Sequence, residues 1–322
     1  MGWRSIAFGI LMLANMQAWA WPSPIDYKYQ KIDPVLYQKY DEARSLLDKY
    51  AGESEFLDLG SSRLQYVLKK DVRFAPAYMQ LGRLLIMNDD SDDGFRAAEP
   101  AVKKALEIEP DYADALVLLG YVYTHLGKHQ QAMDAFKKAE TIGTQNPWLY
   151  VNLADEYLQT ERGEDALHAL DIINQRGTDN IKARRAISEM YITYYMGKKD
   201  LKSVDVWYRK EIEASPGDAW AHGNYAGMLV WHAGNFVEAE KQAREALALM
   251  DYGRARFTLA AALFARWADT PVDNRSQRLF DEAVSNYPDV EDMANEFSGS
   301  ETTRRLADEL RKAIPKKKPD VI

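Results

Sequence analysis

The feature that most constrains this chain is a 34-residue repeat, which is clearest between Ala105 and Ala139. Apolar residues within it follow helical three-four spacing on two successive segments, and Gly127 separates these segments. Small residues at Gly120 and Ala132 allow the two predicted helices to approach closely. A single hairpin of this kind cannot bury its apolar face, so the copies must stack on their neighbours.

Further copies of the pattern occur on both sides of this segment. Extra residues enter the copy that begins at Leu81, and another copy has an extended turn at residues 197–200. The residue pairs that correspond to one another in the copies are Leu81-Gly82, Leu119-Gly120, Leu153-Ala154, Ile187-Ser188, Ala226-Gly227 and Leu259-Ala260. A weaker copy around Leu64 precedes them, so the repeats cover residues 33–288.

The copy at residues 113–139 resembles the tetratricopeptide repeat. The matching residues are Ala113, Leu116, Leu119, Gly120, Tyr123, Ala132, Phe136 and Ala139. This resemblance implies an all-α fold, a right-handed superhelical solenoid of antiparallel helical hairpins, with about seven hairpins and a C-terminal cap. We expect residues 289–314 to form the capping helices and residues 315–322 to form a disordered basic tail.

The first 20 residues have the pattern of a secretory signal peptide. Arg4 supplies a positive start, an apolar run follows, and the small residues Ala18 and Ala20 precede a predicted cut before Trp21. The apolar run is shorter than the roughly 20 residues that span a bilayer, so we expect cleavage, with a retained anchor as the alternative. We therefore expect export to the periplasm of a Gram-negative bacterium, a linker at residues 21–32, and no stable membrane insertion after cleavage.

Composition limits the classes of partner. The chain has 41 basic and 49 acidic residues and a net charge of −8, and loss of Arg4 with the signal peptide leaves 40 basic residues and a charge of −9. An acidic surface disfavours nucleic acid and anionic lipid. The chain has no cysteine, so export brings no disulfides and no thiol nucleophile. We expect a protein or peptide partner, with polysaccharide as the alternative, and no nucleic acid.

Signals for catalytic, nucleotide or metal sites are weak. Gly120 and Gly127 lack the spacing of a phosphate-binding loop. His125 and His129 are four residues apart, but Gly127 interrupts the helix on which they would share a face. The acidic run at residues 89–93 lacks the central Gly and distal Glu of a calcium loop, which favours a solvated turn. We expect no catalytic residues, no cofactor and no metal; an enzyme with an unrecognised site is the remote alternative.

The resemblance also implies where a ligand would lie. In the tetratricopeptide repeat family the first helix of each hairpin lines the concave surface, and its fifth and ninth positions commonly face the ligand. In this sequence these positions are Met79, Arg83, Val117, Tyr121, Val151, Asp155, Arg185, Glu189, Asn224, Met228, Phe257 and Ala261. The set lacks the Lys and Asn pattern with which some relatives clamp a terminal carboxylate.

Position within the repeat predicts which side chains are exposed. The residues expected to be largely exposed on one concave surface are Arg83, Tyr121, Asp155 and Arg185. The residues expected to be buried are Leu119, Tyr123 and Phe136. Three tryptophans lie on or beside first helices: Trp148, Trp220 and Trp231. We expect them to pack between repeats, and the alternative is that they stack on a ligand.

These observations together favour binding over catalysis. The expected function is that of an exported scaffold or adaptor, which binds a protein segment in its concave groove during envelope assembly or secretion. The alternative, which depends on the groove aromatics, is a carbohydrate-binding or polysaccharide-export component.

Overall fold

The computed structural model describes residues 23–50 and 52–314, which fold into α-helices with short connections and no strand. The prediction of an all-α fold of helical hairpins is therefore confirmed. The expected signal peptide at residues 1–20 and the expected tail at residues 315–322 lie outside the described residues. Within the described ranges, no helix combines the length and the apolar character needed to cross a bilayer.

The chain divides into two compact units, Met1–Tyr194 and Tyr195–Ile322. The first unit begins with α1 (Pro24–Ile32), continues with four hairpins, and reaches α10 (Ile181–Gly197), in which the boundary falls. The two helices of each hairpin pack against each other. The hairpins are α2 (Pro34–Lys49) with α3 (Ser54–Lys70), α4 (Ala75–Asn88) with α5 (Asp92–Ile108), α6 (Ala113–His125) with α7 (His129–Ile142), and α8 (Trp148–Gln159) with α9 (Gly163–Arg176).

The first helices of these hairpins form a continuous layer, which we call the inner layer. Within it α2 contacts α4, α4 contacts α6, and α6 contacts α8. The repeat resemblance implied that these first helices line the concave surface. The layer is tightly packed, since every residue of α6 from Asp114 to Thr124 is buried.

The closest approach of two helices in the best repeat joins α6 to α7. A Cβ atom built at Gly120 would overlap the ring of Phe136, so a larger residue does not fit there. Leu119, Tyr123 and Phe136 are buried, as predicted from their positions in the repeat. The small residue at position 120 therefore sets the spacing of this hairpin.

Two turns of the first unit agree with the interpretation of the sequence. Gly127 has a positive φ of 65° and separates His125 from His129, which lie on different helices. The acidic segment between α4 and α5 is exposed, and the backbone N–H of Ser91 donates to Asp89 Oδ1 at 3.0 Å. It is thus a solvated turn closed by its own side chains.

The segment ahead of the first hairpin forms α1, although we expected a linker at residues 21–32. Ser23 and Asp26 build a capping box: the Asp26 backbone N–H donates to Ser23 Oγ at 3.1 Å, and the Ser23 backbone N–H donates to Asp26 Oδ2 at 3.0 Å. The ring of Tyr29 lies 4.7 Å from that of Phe74. A capped start and a buried aromatic contact therefore make this segment part of the first unit.

The second unit contains α11 (Leu201–Ala214) and three hairpins. Its hairpins are α12 (Ala219–Met228) with α13 (Phe236–Leu249), α14 (Gly253–Asp269) with α15 (Gln277–Asn286), and α16 (Val290–Gly299) with α17 (Arg304–Ala313). A π-helical turn, Leu229–Ala233, follows α12, and a 3-10 turn, Val272–Asn274, follows α14. The last hairpin occupies the segment for which we expected capping helices.

Candidate functional site

Three polar groove positions of the first unit are buried. Arg83 is 0% exposed, Tyr121 6% and Asp155 1%. The prediction that they are largely exposed is therefore wrong, and Arg185 is only half-buried. For Arg83 and Tyr121 the reason is that side chains of neighbouring helices, Asp48 and Phe95, contact them. The apolar groove positions Met79, Val117 and Val151 are buried as well.

Arg83 on α4 joins its own helix to α2. Its Nη1 donates to Gln80 Oε1 at 2.8 Å, and its Nη2 donates to Asp48 Oδ1 at 2.9 Å. Lys182, near the start of α10, donates from Nζ to the backbone carbonyl of Asp48 at 3.3 Å. Burial lowers the pKa of Lys182 to about 8. Side chains of α2, α4 and α10 therefore meet on the inner side of the first unit.

Tyr121 on α6 belongs to a cluster of three rings. The ring of His125 is stacked on Phe95 with centroids 4.5 Å apart, and it meets Tyr121 edge to face at 4.4 Å. Burial lowers the pKa of His125 to about 4, so this imidazole is neutral at neutral pH, and its Nε2 is buried without a hydrogen-bond partner. Burial is the main cause that raises the pKa of Tyr121, and the negative charge of Asp155 also raises it. The cluster therefore interacts electrostatically with α8, which carries Asp155.

Asp155 and Glu156 are consecutive buried carboxylates on α8. Gln159 Nε2 donates to Asp155 Oδ2 at 3.1 Å, while Asp155 Oδ1 is buried and has no hydrogen-bond partner in the part of the chain that the structure describes. Burial, together with a smaller effect of the negative charge of Glu156, raises the pKa of Asp155 to about 7. Glu156 Oε1 lies 2.9 Å from His129 Nδ1, and its Oε2 has no partner. This part of the inner layer therefore concentrates acceptor oxygens that lack donors.

The ninth positions of successive first helices form a sequence that we call the inner row: Arg83, Tyr121, Asp155 and Glu189. At its end, Arg185 Nε donates to Glu189 Oε1 at 2.8 Å within α10. The inner row thus consists of a cation, an aromatic hydroxyl and two carboxyl groups on successive first helices. Arg83, Tyr121 and Asp155 share the inner layer, and the role of the inner row in binding stays a prediction.

In the second unit the predicted residues have mixed environments. Asn224 is half-buried and Met228 is buried. Trp220 differs from the other two tryptophans that we considered, because it is 43% exposed and lies 4.4 Å from the ring of Tyr252. The remaining two pack within the fold: Trp148 is buried and Trp231 stacks on Phe257.

Several residues beside the inner row were not predicted from the sequence. His125 could have been, because it follows Tyr121 by one helical turn on the same face of α6. Gln159 stands in the same relation to Asp155 on α8. Asp48 gave no such signal, since it contacts Arg83 and Lys182 from a distant part of the chain.

Residues 79–147 match the family model of the tetratricopeptide repeat. They include the whole of α5, α6 and α7, where the helix spacing and the buried positions already follow the repeat. This segment of the chain is made of tetratricopeptide repeats. No curated protein matches the chain significantly in sequence.

Solved structures with the same fold come from several organisms. PilF of Pseudomonas aeruginosa aligns over 73% of this chain and 97% of its own, with a TM-score of 0.55 and 17% identity. A thermophilic tetratricopeptide repeat protein of Thermus thermophilus aligns over 59% of this chain and 98% of its own, with a TM-score of 0.50 and 21% identity. The human IFIT1 dimer with PPP-AAAA aligns over 90% of this chain and 67% of its own, with a TM-score of 0.56 and 15% identity. At these identities the likeness shows the fold alone.

Proposed function

We propose that this tetratricopeptide repeat protein is an exported scaffold, which binds a protein segment along the inner layer of its first unit during envelope assembly or secretion. Export is supported by the signal pattern of the first 20 residues. Binding, as opposed to catalysis, is supported by a fold whose repeats specify packing and leave the inner positions free to vary.

One observation carries the binding proposal: the location of buried polar atoms without partners. Among the described residues, the buried side-chain atoms that lack a hydrogen-bond partner lie on first helices or, for Tyr112, at the residue before one. They include Gln80 Nε2, Thr124 Oγ1, His125 Nε2 and Asp155 Oδ1. A buried polar atom without a partner costs about 1 to 3 kcal/mol. A ligand that supplied donors and acceptors to this layer would recover that cost.

The chemistry of the layer suits a polypeptide segment. Apolar groove positions such as Val117 and Val151 alternate with the polar inner row along consecutive helices. A polypeptide offers apolar side chains and backbone hydrogen-bonding groups at regular intervals, and it can therefore engage both sets. The net charge of −8 disfavours a nucleic acid in the same place.

Site-specific photocrosslinking tests this location. A p-benzoylphenylalanine introduced at Gln159, beside Asp155, should crosslink in the producing cell to one discrete envelope protein. The matched control is the same probe at Gln131, which is exposed on the second helix α7. Equal adducts from both positions would place the partner elsewhere on the protein, and no adduct from Gln159 would contradict the proposal.

A second candidate function, carbohydrate binding, is favoured by Trp220 alone. Its exposed ring, supported by Tyr252, has the character of a platform on which a sugar could stack. Titration with envelope polysaccharide fragments should then quench tryptophan fluorescence in the wild type and not in Trp220→Ala. The absence of quenching in the wild type would rule this candidate out.

A further inference from the structure

Asp155 differs from the other buried aspartates of the first unit. Asp26 accepts hydrogen bonds from the backbone and hydroxyl of Ser23 at 3.0 Å and from Tyr40 at 3.0 Å. Asp114 accepts from Asn146 Nδ2 at 2.9 Å. These two carboxyl groups are integrated into the fold by donors that the fold itself supplies. Asp155 has a buried oxygen, Oδ1, for which no described residue supplies a donor.

The partner of the second oxygen is easily displaced. Gln159 donates to Asp155 Oδ2 from one helical turn away and is itself exposed at the end of α8. A long, exposed amide side chain loses little when it rotates into water. Rotation of Gln159 into water would therefore free Asp155 Oδ2 for a donor from a ligand.

The surroundings of Asp155 are acidic and aromatic. Glu156 lies next to it on α8, and the charge of Asp155 acts on Tyr121 of α6. His125 on α6 is kept neutral by burial, so it supplies no positive charge at neutral pH. His129 at the start of α7 lies against Glu156 Oε1 and leaves Glu156 Oε2 without a partner. Around this carboxyl group, the negative charges exceed the positive ones.

Building on the proposed function, we propose that Asp155 is the anchor of a subsite that binds the guanidinium group of an arginine in the bound segment, beside the ring of Tyr121. The guanidinium donates through a planar fork that matches the two oxygens of a carboxylate. It also stacks on aromatic rings more readily than an ammonium does. An arginine therefore satisfies the geometry, the charge and the aromatic surroundings together.

The electrostatics of Asp155 support this assignment. A group whose pKa is raised to about 7 by burial is close to half ionised at neutral pH. An arriving cation stabilises the ionised form, since an opposite charge at hydrogen-bond distance lowers the pKa of a carboxyl group. A cationic ligand therefore supplies a positive charge next to Asp155, whereas an uncharged donor would supply none.

The subsite can be tested by selecting short random peptides on the wild type, on Asp155→Asn and on a matched control, Asp165→Asn. Asp165 lies on the second helix α9, where it pairs with Arg162 at the surface at 2.7 Å. Arginine should be enriched at one fixed position by the wild type and by Asp165→Asn. This enrichment should disappear with Asp155→Asn.

A selected peptide and its arginine-to-citrulline form then provide the quantitative comparison. Citrulline keeps the planar shape and removes the charge. The exchange should weaken binding to the wild type by at least about tenfold, as expected for a charge-assisted hydrogen bond, and should change binding to Asp155→Asn little.

The possible failures are distinguishable. If peptides are enriched but arginine is no more frequent with the wild type than with Asp155→Asn, the subsite is wrong and segment binding stands. Enrichment of lysine in place of arginine would contradict the proposal that Asp155 binds a guanidinium group through two hydrogen bonds. If the wild type enriches no peptide, the proposed function fails and the subsite fails with it.

Discussion

The Asp155→Asn variant should gain stability relative to the wild type as the pH rises from about 4 to about 8. An unperturbed aspartate has a pKa of about 3.9, and burial raises that of Asp155 to about 7. The difference of roughly three pH units corresponds to about 4 kcal/mol. The folded state binds this proton more tightly than the unfolded state, so the stabilising contribution is complete below about pH 4 and is lost as the pH rises through about 7.

Asparagine has the same shape and no charge, so the variant escapes this loss. Its free energy of unfolding, measured against that of the wild type, should therefore rise by roughly 4 kcal/mol between about pH 4 and about pH 8. Asp114 also has a pKa raised by burial to about 7, but it is present in both proteins and cancels in the difference.

Urea unfolding followed by far-ultraviolet circular dichroism at several pH values measures this difference. The control Asp165→Asn changes an exposed carboxyl group and should alter stability by less than about 0.5 kcal/mol. A difference between Asp155→Asn and the wild type that stays constant with pH would refute the reasoning. It would mean that the fold accommodates the ionised carboxylate at no cost.

Three further predictions concern packing, binding and export. Gly120→Leu should lower the free energy of unfolding by roughly 2 to 4 kcal/mol, because the leucine side chain would overlap Phe136. Gly227→Ala should raise the free energy of unfolding by up to about 1 kcal/mol, because Gly227 lies in α12 with open space around it. The urea midpoints of the two variants measure both effects. An arginine peptide selected on the wild type should bind about tenfold more tightly near pH 8 than near pH 6 in titration calorimetry, because Asp155 ionises across this range. N-terminal sequencing of the exported protein should begin at Trp21.

Each of these has a contrary result. An unchanged urea midpoint for Gly120→Leu would show that the hairpin contact is absent in solution. Peptide affinity that is equal at both pH values would remove Asp155 from the binding site. A purified protein that begins at Met1 and stays in the membrane would replace cleavage by a retained anchor.

The packing of the hairpins could be predicted because it depends on local spacing. Gly120 and Phe136 lie in adjacent helices of one hairpin, and the 34-residue period places them together. The same alignment fails in the second unit, where Gly227 has open space and the glycine in close contact is Gly223, against Tyr252. Gly120 follows Pro110 by ten residues, and the residue at the same distance from Pro216 is Ala226, which is fully buried. The alignment on Gly227 is therefore one residue out of register.

The environment of the candidate site could not be predicted, because it depends on contacts that the repeat does not encode. The ninth position of a first helix indicates a face of that helix and says nothing of what covers it. Arg83 is buried because of Asp48, and Tyr121 because of Phe95 and His125. Asp155 is the residue whose burial the repeat explains least, since no partner accounts for its Oδ1.

The contact between Asp48 and Lys182 has a consequence for how the first unit unfolds. A stack of repeats with only neighbour contacts frays from its ends, since each terminal hairpin can leave on its own. Here α10 is tied to α2 across three intervening hairpins. Unfolding of α10 therefore also breaks its hydrogen bond to α2 at the opposite end of the stack. Refolding of α10 must close the loop formed by the chain between Asp48 and Lys182. The ends of the first unit are coupled in this way, and its melting should be sharper than that of an open array of the same length.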